Sequence, residues 1–211
     1  MSNAQEIPMD SPIRLFLGCG GRPISGYVNV DLDSLDEIKQ RYPGREFAPD
    51  IKVYQFDIFD LPYPDQCVDE VRADSVFEHL GFLEEKRIFL EAHRVLKPGG
   101  LFDFCVPDFE YIVRQWLDAE DNWKDWFRND DEAIAETHWF GQYSDRMDQR
   151  WGYLTASLWG NQNGEGQVHK NCYTVPKIRA ILDSLGFRDL EISHFHWQGR
   201  DRMIRAKSYR A

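Results

Sequence analysis

The sequence has no hydrophobic run that approaches the roughly 20 apolar residues that a transmembrane helix needs. Residues 1–11 are polar and lack the basic-then-apolar order of a signal peptide. We therefore expect a flexible N-terminus, no membrane partner and a cytoplasmic protein.

Cysteines are few, and no two of them form a Cys-x-x-Cys pair. The four are scattered along the chain, at Cys19, Cys67, Cys105 and Cys172. This spacing indicates neither a zinc site nor a disulfide framework. We therefore expect no metal and a reducing compartment.

Basic residues are also scarce, at 25 Lys and Arg against 36 Asp and Glu, for a net charge of −11. Nucleic-acid phosphates are bound by clusters of Lys and Arg, so a nucleic-acid partner is excluded. No internal repeat or low-complexity tract divides the chain. Its 211 residues and hydrophobic content of 42% predict one globular domain over residues 12–211.

A glycine-rich stretch near the start is the first positive signal. Gly18-Cys-Gly-Gly21 follows a short apolar strand at 15–17, and a second strand at 27–30 ends in Asp31. Glycines let a ligand approach the backbone, and a carboxylate after the second strand accepts hydrogen bonds from ribose hydroxyls. A plain chain reversal would leave the same glycine signal, so the loop by itself leaves both readings open.

Strands and helices then alternate along most of the chain, which is typical of a parallel sheet covered by helices. Further strands are predicted at 51–56, 68–73, 101–106, 190–195 and 203–207, and helices at 34–41, 83–96 and 174–186. The first crossover is too short for more than one helical turn.

Residues 108–168 interrupt this alternation and hold six of the seven tryptophans. The pattern predicts helices near 108–118 and 145–158, and a further one at 129–141. We expect either a helical insert that covers a pocket or a small subdomain whose tryptophans pack on each other.

An ordered set of motifs runs through residues 13–107. The Gly-Cys-Gly loop and Asp31 are followed by Asp57, Glu78-His-Leu80 and Glu91-Ala-His-Arg-Val-Leu-Lys-Pro-Gly-Gly100. This set resembles the class I S-adenosylmethionine-dependent methyltransferases, closest to their small-molecule "type 11" branch. The resemblance implies an α/β, Rossmann-like three-layer sandwich with a mostly parallel seven-stranded sheet whose last strand is antiparallel.

The resemblance also implies a cofactor site for S-adenosylmethionine. Gly18, Cys19 and Gly20 would line its amino-acid part, and Asp31 would bind the ribose hydroxyls. Asp57 would hold the adenine.

Ile58 would lie beside the adenine, and Asp74 would face the methionine moiety and the reaction centre. Two positions depart from the family pattern. Phe16 stands where the family has an acid, and Arg22 stands where its loop has a third glycine.

Such an enzyme would transfer a methyl group to an O or N atom of a small molecule or sugar. A hydroxyl acceptor needs a general base, and His169 and His79 are the candidates because the expected loops place them near the cofactor. His138 is a weaker candidate, and His93, His194 and His196 read as structural. We expect a monomer or homodimer.

Two other functions stay open at this stage. Phe16 and Arg22 are compatible with a non-catalytic cofactor-fold protein that binds a partner through its aromatic insert. The other is a nicotinamide-dependent dehydrogenase. Its phosphate loop requires a third glycine and a helix directly after it, and the short first crossover leaves little space for that helix.

Overall fold

Seven strands form one sheet in the computed structural model, which describes residues 7–117, 157–160, 165–197 and 201–211. In chain order they are β1 (Arg14–Leu17), β2 (Val28–Val30), β3 (Val53–Tyr54), β4 (Val68–Asp74), β5 (Leu96–Pro107), β6 (Phe187–Trp197) and β7 (Asp201–Arg210). The spatial order is β3-β2-β1-β4-β5-β7-β6. β7 runs antiparallel to β5 and β6, and the other strand pairs are parallel, so the predicted α/β sheet is confirmed.

The predicted helices at 34–41, 83–96 and 174–186 are all present, with bounds that differ by up to two residues. The helices are α1 (Leu35–Arg41), α2 (Phe82–Val95), α3 (Phe109–Leu117) and α4 (Val175–Ser184), with 3₁₀ turns at Phe77–His79 and Glu165–Gln167. Ser34 and Glu37 form a capping box at the start of α1. Thr174 caps α4 by accepting the N–H of Lys177. These side chains satisfy amide groups that the first helical turn leaves unpaired.

Successive strand side chains point to opposite faces of the sheet, so both faces carry apolar side chains, and helices cover both. α2 and α4 bury Ile88, Phe89 and Ile178 against one face, where the larger apolar core lies. α1 packs Ile38 on the other face, in a smaller core. This arrangement gives the three layers.

The crossover from β1 to β2 contains no helix, as predicted from its length. Aromatic side chains fill the sheet face there instead. Phe16 is buried, meets the ring of Tyr27 edge-on at 6.4 Å, and lies under the guanidinium of Arg72 at 5.5 Å. The residue that departs from the family pattern therefore supplies the smaller core.

Several predicted bounds were wrong in length. The strand predicted at 51–56 pairs only at Val53–Tyr54, because it is an edge strand with a single neighbour. β5, β6 and β7 are longer than predicted: Leu96 of β5 already pairs with Val68 of β4, and β6 pairs with β7 from Phe187 to Trp197. The helices predicted at 129–141 and most of 145–158 lie outside the described residues, as does most of the tryptophan-rich insert. None of the described helices has the length and apolar character of a membrane span.

The Glu91-Ala-His-Arg94 motif has a structural purpose. Arg94 Nε and Nη2 each donate to a carboxylate oxygen of the buried Glu91, at 2.8 and 2.6 Å. The same Glu91 accepts the N–H of Leu61 at 2.6 Å, and Arg94 also donates to the carbonyl oxygens of Leu61 and Tyr63. The pair therefore fixes the connector before β4 to helix α2.

We predict that Arg94→Ala lowers the free energy of unfolding by roughly 2–4 kcal/mol, because Glu91 would keep a buried charge without its partner. Chemical denaturation measures the change. Arg188→Ala is the matched control, since Arg188 and Asp189 are exposed and 3.9 Å apart, and a change within about 0.5 kcal/mol is expected. Equal losses in the two variants would contradict the role of Arg94.

Candidate functional site

The glycine loop closes over the carboxyl ends of β1 and β4. Gly18 has a φ of +61°, and a Cβ at this position would lie 2.5 Å from the Cγ2 atom of Val76. Val76 follows β4, so only glycine allows the two loops to approach this closely. The amide of Cys19 donates to the carbonyl of Val30, and its side chain is buried. Cys19 therefore contributes through its backbone, and burial raises the pKa of its thiol to about 12.

Asp31 is held rigidly at the end of β2. Its Oδ2 accepts the N–H of Gly20 at 2.7 Å, and its Oδ1 accepts the N–H of Asp33 at 3.1 Å. The side chain is only half-buried, and each carboxylate oxygen retains a lone pair for a further donor. This carboxylate is therefore oriented toward the glycine loop and remains able to bind hydroxyl groups.

An apolar side chain that sequence reasoning missed stands next to Asp31. Leu32 is 86% exposed, which is unusual for leucine at the carboxyl edge of a parallel sheet. Asp57 is exposed three residues after the neighbouring strand β3, and its Oδ1 accepts the N–H of Phe59. Ile58 is half-buried. The carboxylates of Asp31 and Asp57, with the apolar side chains of Leu32 and Ile58 beside them, suit the ribose and base of a nucleoside. The residues present therefore fit S-adenosylmethionine, the cofactor that the family resemblance implies.

Asp74 is engaged at the end of β4. Its Oδ2 accepts from Nη2 of Arg72 at 2.7 Å, and the thiol of Cys105 donates to Oδ1 at 3.5 Å. Its contact with a methionine moiety stays a prediction. Arg22, the second departure from the family pattern, lies over the ring of Trp197 at 4.2 Å and so joins the glycine loop to the β6–β7 hairpin.

The two candidate histidines come together from segments far apart in the sequence. The carbonyl oxygen of Glu78 accepts the N–H of Lys170 at 2.7 Å and that of Asn171 at 3.1 Å. This brings the loop before α4 against the 3₁₀ turn after β4. The rings of His79 and His169 consequently lie 4.9 Å apart, edge to face.

Burial keeps both imidazoles neutral at neutral pH. It lowers the pKa of His169 to about 4, with His79 adding to the shift, and it also lowers the pKa of His79. His169 is therefore a weak proton acceptor, since a general base works best with a pKa near the working pH. Its lone pair is nevertheless free for a hydrogen bond or a metal.

Glu78 is the residue of this cluster that sequence reasoning did not single out. It is 2% exposed, and within the part of the chain that the structure describes its Oε2 has no hydrogen-bond partner. Burial is the main cause that raises its pKa to about 8. Its position between Phe77 and His79 in an apolar stretch was the available signal. With Phe109, Ile112, His169 and Tyr173, it lines a small pocket.

The remaining histidines lie elsewhere. His93 packs edge-on against Phe187 at 5.3 Å, which agrees with a structural role. His194 Nε2 lies 3.5 Å from Asp108, and His196 lies near Tyr111. His138 lies outside the described residues.

Comparisons with known proteins identify part of the chain. Residues 17–104 match the family model described as a methyltransferase domain. An uncharacterized 37.1 kDa protein of transposon TN4556 from Streptomyces fradiae is 33% identical over 97 residues. That match covers 46% of this chain and 27% of the relative, so the chain matches about a quarter of the relative's length.

Solved structures share the fold over most of the chain. A possible histamine N-methyltransferase from Thermotoga maritima has a TM-score of 0.56 at 12% identity, covering 94% of this chain and 82% of that one. A 1,6-didemethyltoxoflavin N1-methyltransferase from Burkholderia thailandensis, bound to S-adenosylhomocysteine, has a TM-score of 0.54 at 12% identity and covers 94% and 71%. A methyltransferase from Methanosarcina mazei has a TM-score of 0.55 at 15% identity, covering 97% of this chain and 94% of that one. At these identities the likeness establishes the fold.

The raised pKa of Glu78 predicts a pH-dependent effect of Glu78→Gln. Between the ordinary value of 4.5 and about 8, the unfolded chain releases this proton while the folded chain keeps it, so wild-type stability falls as pH rises. Glu78→Gln has no carboxyl group to titrate at this position, so its stability lacks this fall with pH. We expect its melting temperature relative to wild type to rise from pH 5 to pH 8. Glu46→Gln, at an exposed position, is the control, and the same pH trend there would contradict the assignment.

Proposed function

We propose that this chain, an S-adenosylmethionine-dependent methyltransferase by its domain match and its fold, methylates an O or N atom of a small molecule or sugar. The cofactor implied by this domain and fold is S-adenosylmethionine. When bound, it supplies a methyl group on a sulfonium sulfur. The protein then has to hold the donor, align the acceptor and, for a hydroxyl, accept a proton.

The Asp31 carboxylate is the observation that carries the cofactor placement. Two backbone amides fix it at the end of β2, within the matched domain and 2.7 Å from the amide nitrogen of the glycine loop. We assign the ribose hydroxyls to Asp31, because charge-assisted hydrogen bonds to a carboxylate are strong. Leu32, Asp57 and Ile58 would flank the adenine. The methionine part would lie between the Gly18–Gly20 backbone and Asp74.

The acceptor belongs in the pocket beside the cofactor edge. Its walls combine apolar rings with the polar atoms of Glu78 and His169, and its volume of about 10 Å³ would admit only the reacting group of the acceptor. We assign proton acceptance to His169 or His79, whose burial leaves them neutral. A monomer or homodimer in the cytoplasm stays our prediction.

The other two functions are not favoured. The non-catalytic reading drew on Phe16 and Arg22, and both have structural explanations in the smaller core and in the contact with Trp197. A dinucleotide-binding dehydrogenase has the strand order 3-2-1-4-5-6. Here the antiparallel β7 lies between β5 and β6.

A metabolite screen tests the reaction. The protein is incubated with S-adenosylmethionine and a mixture of small hydroxyl- and amine-bearing metabolites, including sugars, and products are identified by mass spectrometry. We expect one product class to gain a methyl group in step with S-adenosylhomocysteine formation. The absence of S-adenosylhomocysteine binding in calorimetry would overturn the proposed function.

Asp31→Ala should weaken S-adenosylhomocysteine binding by roughly 1–3 kcal/mol, about 5- to 150-fold, because charge-assisted hydrogen bonds to the ribose are lost. Isothermal titration calorimetry measures the change. Asp50→Ala is the control, since Asp50 is an exposed carboxylate that accepts a hydrogen bond from the Ser25 hydroxyl. An unchanged affinity of Asp31→Ala would contradict the placement of the ribose.

A further inference from the structure

Three potential metal ligands converge at the pocket from two segments far apart in the sequence. Glu78 and His79 belong to the 3₁₀ turn after β4, and His169 belongs to the loop before α4. One potential ligand atom from each residue lies within 4.8 Å of the other two. The expectation of no metal rested on local spacing, which cannot register this convergence.

Both imidazoles are held in the state that a metal ligand needs. His79 Nδ1 lies 3.3 Å from the carbonyl oxygen of Val168, and His169 Nδ1 lies 3.1 Å from that of Ser157. A carbonyl oxygen can only accept, so each Nδ1 carries the proton and each Nε2 keeps a free lone pair. A backbone carbonyl behind the second ring nitrogen is the usual support of a metal-bound histidine.

Glu78 supplies an oxygen that the protein leaves unsatisfied. The side chain is 2% exposed, and Oε2 has no hydrogen-bond partner among the described residues. A buried polar atom without a partner is destabilising, because it has lost its hydrogen bonds to water, and such atoms in a folded protein call for an explanation. A cation between this oxygen and the two lone pairs would satisfy all three groups.

We propose that Glu78, His79 and His169 bind one divalent transition-metal ion, with Zn²⁺ as the probe. Two imidazoles and one carboxylate with open positions form a recognised set for such ions. Bond lengths near 2.0–2.2 Å would bring the ligand atoms to roughly 3.3 Å from one another. The ligand atoms, which lie within 4.8 Å of one another, would have to approach through side-chain rotation, while the hydrogen bonds to the Glu78 carbonyl hold the backbone of the two segments together.

The open coordination positions face the pocket and would take an oxygen of the acceptor. This part of the proposal rests on the proposed function. A coordinated hydroxyl loses its proton to solvent at lower pH than a free one. With the ion bound, both Nε2 lone pairs are occupied, so the histidines act as ligands and not as the base.

Metal binding to the full-length chain tests the site directly. The protein is treated with a chelator, dialysed, and titrated with Zn²⁺ by calorimetry, with metal content checked by elemental analysis. We expect one Zn²⁺ per chain, and much weaker binding of Mg²⁺, which prefers an all-oxygen octahedral site. Glu78→Gln and His169→Ala should each weaken Zn²⁺ binding by roughly 10- to 100-fold or more.

His93→Asn is the matched control, because His93 packs against Phe187 away from the pocket. Its Zn²⁺ affinity should equal that of wild type. S-adenosylhomocysteine titration of every variant verifies that the fold is intact. Equal Zn²⁺ affinities in wild type, Glu78→Gln and His169→Ala would overturn the proposal.

The role toward the acceptor has a separate readout. Once an acceptor is identified, methyl transfer should fall at least tenfold after chelation and recover with Zn²⁺. Transfer that is insensitive to chelation, in a chain that binds Zn²⁺, would overturn the acceptor role. Failure of methyl transfer under all conditions would count against the proposed function, while the Zn²⁺ titration would still decide the metal site.

Discussion

The hydrogen bonds that Lys170 and Asn171 donate to the carbonyl oxygen of Glu78 hold the candidate site together. They join the turn after β4 to the loop before α4. Asn171 also donates to Glu85 at 2.9 Å and accepts from Lys177 at 2.7 Å, so the loop is fixed to both helices of the larger core. The placement of His169 opposite His79 therefore follows from main-chain geometry anchored in packed elements.

The short crossover constrains the opposite side of the cofactor region. Without a helix after β1, the sheet face below the glycine loop needs other cover. Phe16 and Tyr27 supply apolar area, and Arg72 lies above Phe16 while binding Asp74. An acid in place of Phe16 would remove the centre of this core. The departure from the family pattern is thus tied to the missing helix, and the two belong to one structural solution.

Local sequence patterns predicted the features that depend on near neighbours. The helices predicted from Ser34 and from Thr174 are present with these residues as their N-caps, and the glycine turn and Asp31 lie at the ends of their predicted strands. The family resemblance predicted the sheet with its antiparallel last strand, and the strand pairing confirms it. The extent of β3 and of the β6–β7 hairpin was not predictable, because it depends on pairing partners distant in sequence. The same holds for the meeting of His79 with His169, and for the orphaned oxygen of Glu78.

The acid–base properties of the pocket limit the chemistry that it can perform. His169, with a pKa near 4, is a poor base for an alcohol at neutral pH. Glu78, with a pKa near 8, is mostly protonated there and cannot replace it. A neutral amine needs no base before it attacks, so the metal-free pocket favours nitrogen acceptors. A bound divalent ion would reverse this preference, because it lowers the pKa of a coordinated hydroxyl and draws the proton from Glu78. Under the proposed function, a metal on these three side chains would therefore favour an oxygen acceptor.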